Sequence, residues 1–160
     1  LIGGRGAKEV MDGASRQFRC VSLDRVFKGD MAGPRPDPAL HALTEAASLG
    51  EVDAFLSHSW SDKPEDKWKA MQQWRAAFKA KNGREPKVWI DKYCIDQTRI
   101  EESLAGLPVF LSGCRKLVVF PGHTYTSRLW CMMELLTFIT MGGDPWDVVA
   151  VQMGDHAVDW

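Results

Sequence analysis

"VDAFLSHSWSD", Val52–Asp62, reads as a short apolar strand that opens into a loop rich in hydroxyls, with a histidine and a tryptophan. Three more apolar runs follow it, "KVWID", "LVVF" and "VVAV", and the four centre near residues 54, 89, 119 and 149. Gaps of this length hold a helix each, so the pattern is that of successive strand–helix–strand units. Runs without in/out alternation belong to strands covered on both faces, as in a parallel sheet. The class expected is therefore α/β, with a central parallel sheet.

The intervening stretches support helices. "SDKPEDKWKAMQQWRAAFKAKNG" offers Asp62 as N-cap with Glu65 three residues on, Pro64 in the first turn and Gly83 just past the end. Trp68, Met71, Trp74, Arg75 and Phe78 form its stripe, a face for packing on a sheet. "IEESLAGLPVFLSGC", Ile100–Cys114, is a second helix, bent or restarted at Pro108. "TSRLWCMMELLTFITMG", Thr126–Gly142, is the third, capped by Thr126 or Ser127. Its apolar positions cover every face, the pattern of a fully buried helix. Yet Glu134 sits in the middle, and an unpaired buried carboxylate costs several kcal/mol or takes up a proton. It must be paired by a group distant in sequence, or line a cavity.

A chain of 160 residues suits one domain. A formal net charge of -1 and a pI near 6.5 leave no electrostatic footprint for nucleic acid. Cys20, Cys94, Cys114 and Cys131 are widely spaced without a C-x-x-C pair, unlike a zinc site or a small disulfide scaffold, so reduced thiols in the cytoplasm are expected. No apolar run reaches the ~18 residues of a membrane span, and no signal-peptide core opens the chain. A start at Leu1 suggests a piece of a longer protein. Residues 1–50 read as an N-terminal arm and connector packed on the core, with "FRCVSL" (Phe18–Leu23) as a strand and "KGDMAGPRPDP" (Lys28–Pro38) as the connector; residues 51–160 form the main domain.

In an open parallel sheet, ligands bind beyond the C-terminal strand ends. Those ends are "SHSWSD" (Ser57–Asp62), "DKYCIDQTR" (Asp91–Arg99) and "PGHTYTS" (Pro121–Ser127), which carry His58 and His123. His41 and His156 fall where the pattern determines little.

Three of these motifs resemble the Toll/interleukin-1 receptor (TIR) domain family of plant and bacterial type. "DAFLSHSWSD" is similar to its first strand and loop, "KVWID" to its second strand, and "SRLWCMMEL" to its Ser-x-x-Trp-Cys-x-x-Glu-Leu signature. "VWIDKYCIDQ" also resembles the Trp-Ile-Asp-x-x-Cys-Ile-Asn-Gln stretch of fungal heterokaryon-incompatibility domains. The resemblance spans about residues 51–153. It implies a flavodoxin-like three-layer α/β/α fold, the N-terminal extension being an addition. A TIR sheet has five parallel strands and only four are read here, so either the arm supplies a substitute strand or the C-terminal part lies outside this chain.

In function, the resemblance implies cleavage of the nicotinamide–ribose bond of NAD+, with NAD+ as substrate and no cofactor or metal, in an immune or cell-death system switched on by homotypic self-association, including filaments. It gives Glu134 the catalytic role, Trp130 the place of its companion one turn earlier, and Ser57, His58, Ser59, Trp60, Asp91 and Ser127 the substrate contacts. The chemistry is reasonable: nicotinamide leaves neutral from a cationic ring, so no acid need protonate it, and one carboxylate can stabilise charge developing at the anomeric carbon. Residues 127, 130, 134 and 137 share one helix face.

Plainer readings compete. Glu134 pairs with Arg99 or Lys92; His58 is more often a hydrogen-bonding residue than a base; Asp96 braces its loop. Cys94 or Cys131 as nucleophile, with His58 or His123 as base, is less favoured than an inert core thiol, and no His/Cys/carboxylate spacing fits a metal. The rival function is a non-catalytic TIR interaction module.

Overall fold

The computed structural model describes residues 6–33, 35 and 37–154. Pro34 and Pro36 of the expected connector, and His156, lie outside the described residues. In chain order the elements are α1 (Ala7–Gln17), β1 (Arg19–Ser22), α2 (Pro38–His41), β2 (Glu45–Ala46), β3 (Ala54–His58), α3 (Pro64–Asn82), β4 (Lys87–Trp89), α4 (Asp91–Cys94), α5 (Ile100–Ala105), α6 (Leu107–Ser112), β5 (Leu117–Phe120), α7 (Leu129–Thr140) and β6 (Val148–Ala150), with short 3-10 turns between some of them.

All four expected strands form, and they pair in parallel as β4-β3-β5-β6. Their order, second-first-third-fourth, is that of flavodoxin-like sheets. Every residue of β3 and β5 is buried, which is why neither alternates in sequence. The arm lengthens the sheet: β1 pairs antiparallel with β4, Val21 opposite Val88, and β2 pairs antiparallel with β1. It therefore adds strands beyond β4, at the edge opposite β6, and gives no fifth parallel strand beside β6. Val10, Phe18, Leu23 and Met31 of the arm are buried, the last three in the cluster that also holds Phe55, Trp89 and Phe110. Phe110 stacks against both Phe18 and Trp89.

Right-handed crossovers put α3, between β3 and β4, on one face and α6 and α7 on the other. Two helix starts differ from expectation. α3 begins after Lys63 with no side-chain cap, because Asp62 is turned away to accept hydrogen bonds from Thr124 N and Oγ1, both at 2.9 Å. Pro64 does occupy its first turn, and Gly83 ends it in the left-handed region at φ 69°. α7 begins after Arg128, since Tyr125–Ser127 form a 3-10 turn instead. The 100–114 helix is broken at Gly106 and restarts with Pro108 in its first turn.

The expectation of a fully buried third helix is corrected. Only Cys131, Glu134 and Phe138 of α7 are buried; Leu129 is 77% and Leu136 61% exposed, and Met132, Met133 and Ile139 lie open with them. The sheet covers one stripe, and the rest of the apolar surface faces outward. The stripe on α3 is also shifted: Lys67, Ala70 and Met71 are its buried residues. Arg75, the basic residue in the expected stripe, forks onto Glu85 at 2.6 and 2.8 Å. No helix among the described residues is long and apolar enough to cross a membrane.

Candidate functional site

At the C-terminal ends of the parallel strands, pleating divides the first loop between the two faces of the sheet. Ser57 points toward α7, where its Oγ donates to Glu134 Oε2 at 2.5 Å and meets the Tyr125 hydroxyl at 2.7 Å. Glu134 thus has a partner 77 residues away, a neutral hydroxyl and not a base. The basic alternatives are engaged elsewhere: Lys92 Nζ donates to the carbonyls of Asp30 and Gly33, and Arg99 Nε to Asp96. Glu134 is 3% exposed. Burial pushes its carboxyl up to about 8 against the opposing pull of hydrogen bonds from Ser57 and the Trp130 side chain, with the Asp91 charge adding to the rise. Burial thus favours the protonated, neutral acid.

His58 faces the other side of the sheet, near Lys67 and Asp62. Its Nε2 is buried without a hydrogen-bond partner among the described residues, and its ring lies edge-on to Trp60, 4.3 Å between centroids. Burial pushes the imidazole well below its ordinary range, so it is neutral. Ser59 Oγ is hydrogen-bonded to Thr124 Oγ1 at 2.7 Å.

Trp60 is the hinge between these buried groups and open space. Its Nε1 donates to Asp91 Oδ2 at 2.9 Å, while Lys67 Nζ and Lys92 Nζ stand 5.1 and 5.2 Å from the centre of its ring. Both distances are within cation–π range. Lys67 is itself almost fully buried and caps the strand end by donating to the carbonyls of Ser59, at 3.0 Å, and Trp60, at 3.4 Å. Together these contacts fix the indole as a wall.

That wall bounds a cavity of about 290 Å³, lined by Trp60, Asp91, Lys92, Ile95, Gln97, Ile100, Leu104 and Trp130. The structure brings Trp60, Asp91 and Trp130 to this cavity. Ser57, His58, Ser59 and Glu134 are buried and do not line it; Glu134 lies one helical turn from Trp130 on α7. Ser127 does not reach it either: the residue is exposed in the turn before α7, its Oγ bonded to Thr124 O at 2.8 Å. Asp96 braces its loop, accepting from Thr98 N and Oγ1 and from Arg99 Nε.

Sequence reading missed Tyr125, Lys67 and the Asp62–Thr124 clasp. Lys67 had a signal, because 67, 70, 71 and 74 follow the i, i+3, i+4, i+7 rule better than the stripe of large side chains. Gly122 is the counterpart of Asp62: a Cβ there would come within 2.2 Å of Asp62 Oδ2, so only glycine lets the third loop close on that carboxylate. Nothing in the pattern marked Tyr125.

All four cysteines are free and buried. Burial pushes the Cys131 thiol up to about 12 and raises Cys94 further, so neither presents a thiolate nucleophile. No group of three His, Cys, Asp or Glu side chains able to hold a metal is formed among the described residues. The chain matches no protein-family model, no curated protein and no solved structure.

Proposed function

We propose that the chain is a TIR-type domain that cleaves the nicotinamide–ribose bond of NAD+, as a glycohydrolase or cyclase in a cytoplasmic immune or cell-death system, and that self-association switches it on. The observation that carries the reading is Glu134: a buried acid in "SRLWCMMEL", held through one oxygen by Ser57, with Trp130 one turn away on the wall of an indole-lined cavity. The Trp130 indole and the Asp91 carboxylate on the cavity wall attract a cationic nicotinamide ring, while Lys92 on the same wall suits the phosphates of the dinucleotide. Glu134 stabilises the cation that develops at the anomeric carbon once the ring begins to leave.

This chemistry requires two changes from the state described above. Trp130 must swing aside so that Glu134 Oε1 reaches the cavity, and Glu134 must lose its proton. A bound pyridinium favours the second, because a cation beside a buried carboxyl lowers its pKa. Opening on self-association supplies the first. Incubating concentrated protein with NAD+ and following free nicotinamide tests the reading; release that Glu134→Ala leaves unchanged would remove Glu134 from it.

A second reading, a non-catalytic interaction module, draws on the open apolar face of α7 formed by Leu129, Met132, Met133, Leu136 and Ile139. It predicts concentration-dependent assembly with no NAD+ turnover at any protein concentration. Sedimentation velocity beside the nicotinamide assay separates the two.

A further inference from the structure

Glu134 is one end of a buried chain of three side chains. Tyr125, buried in the turn before α7, places its hydroxyl 2.7 Å from Ser57 Oγ, and Ser57 Oγ lies 2.5 Å from Glu134 Oε2. Ser57 comes from β3 and Glu134 from α7, so three separate segments meet here. The third loop seats Tyr125: Asp62 Oδ1 accepts from Thr124 N and Oγ1, and Tyr125 N donates to Gly122 O at 3.1 Å. The clasp that closes the third loop on the first therefore also sets the place of the Tyr125 hydroxyl.

The number of protons sets the direction of both bonds. An ionised carboxylate only accepts, while each hydroxyl has one proton to give. When Glu134 is charged, the Ser57 proton goes to Oε2, and the bond between the two hydroxyls can be made only by the Tyr125 proton. A serine that accepts while it donates is polarised into a stronger donor, by roughly 10–30% per bond in such chains. A second hydrogen bond to Glu134 comes from the Trp130 side chain, the group that must swing aside for Oε1 to reach the cavity. Once it leaves, the Ser57 bond, backed by Tyr125, still holds the anion.

We propose that Tyr125 is a positioning residue for Glu134: its hydroxyl donates to Ser57 Oγ and so commits the one serine proton to the carboxylate. The ionisable groups that face Glu134 give the anion no such support. Asp91, from α4, repels it. Burial pushes the Cys131 thiol on α7 up to about 12 and raises the Tyr125 hydroxyl as well, so both are neutral where Glu134 titrates. The relay rests on the NAD+ reading only for the reaction that Glu134 serves.

The test reads the ionisation of Glu134 without NAD+. Urea unfolding from about pH 5 to about pH 10 is measured for wild type, Tyr125→Phe, Ser57→Ala and the double variant, each beside its Glu134→Gln counterpart; the gain from Gln levels off where the folded carboxyl ionises. Tyr125→Phe should move that point up by roughly half a pH unit, about threefold in the ionised fraction, and Ser57→Ala by about one unit or more. In the Ser57→Ala background Tyr125→Phe should move it no further, because Tyr125 acts through Ser57. A loss of packing alone lowers both curves of a pair together and leaves the point in place. An unmoved point in Tyr125→Phe overturns the proposal, and so does an equal shift with and without Ser57. Nicotinamide release from NAD+ is followed on the same proteins: where NAD+ is cleaved, the rise of kcat/KM with pH should move by the same amount in Tyr125→Phe. Shifted stability curves without any release uphold the relay and remove the cleavage reading.

Discussion

Replacing Glu134 by Gln removes the one ionisation that this fold most opposes. The carboxyl is raised from 4.5 to about 8, chiefly by burial. Between those values the unfolded chain has released its proton while the folded chain still holds one, so stability falls as pH rises. The slope is about 1.36 kcal/mol per pH unit, and the whole interval amounts to about 5 kcal/mol. Against a typical total stability of roughly 5–15 kcal/mol this is a large fraction. Gln keeps the shape and can still accept the Ser57 hydrogen bond, yet has nothing to ionise. Urea unfolding of both proteins at pH 5, 6, 7, 8 and 9 reads the effect, because every other titration is common to both and cancels in the difference. Glu134→Gln should match wild type near pH 5, gain steadily up to about pH 8, and hold a constant advantage above it. Parallel stability curves, or a wild type that gains on the variant as pH rises, would refute the burial argument.

Other expectations concern separate parts of the molecule. His58, buried and neutral with a depressed pKa, must bind a proton more weakly than the unfolded chain does, so acidification below its ordinary value of about 6.5 destabilises wild type. His58→Gln should flatten that acid limb in a thermal-melt series. Asp53, 5% exposed at its side chain, receives both nitrogens of the half-exposed Arg84 fork at 2.7 Å and the Lys87 N–H at 2.9 Å; Asp53→Ala should cost about 1–2 kcal/mol in urea unfolding, chiefly through the Lys87 N–H, since water can take over Arg84. If NAD+ is the substrate, kcat/KM should climb with pH toward a plateau above about 8, since it follows ionisation in the free enzyme and Glu134 must be charged to act.

The sheet was legible because its four parallel strands are short apolar runs at even spacing, and the two central ones, β3 and β5, are buried at every residue. The direction in which "FRCVSL" joins the sheet was not, since an antiparallel edge pairing with β4 depends on where the arm packs and not on local pattern. Burial of α7 was overread for the same reason: composition reports that all faces are apolar, while the fold decides which one is covered. At the site, strand alternation already implied that Ser57 and His58 face opposite ways, and the structure gives Ser57 alone to Glu134. Tyr125 escaped because its role arises from a loop meeting β3, a contact without sequence periodicity, and Lys67 because a lysine on the periodic buried face was passed over for the larger apolar side chains.

The central claim is that Glu134 is the carboxylate that cleaves NAD+. Its most direct test follows NAD+ and free nicotinamide by NMR at high concentrations of wild type, Glu134→Ala and Asp91→Asn. The account predicts equimolar nicotinamide release with wild type, none above background with Glu134→Ala, and weakened substrate binding with residual turnover for Asp91→Asn. Wild-type protein that assembles yet releases no nicotinamide, or a Glu134→Ala variant that releases it at the wild-type rate, contradicts the account.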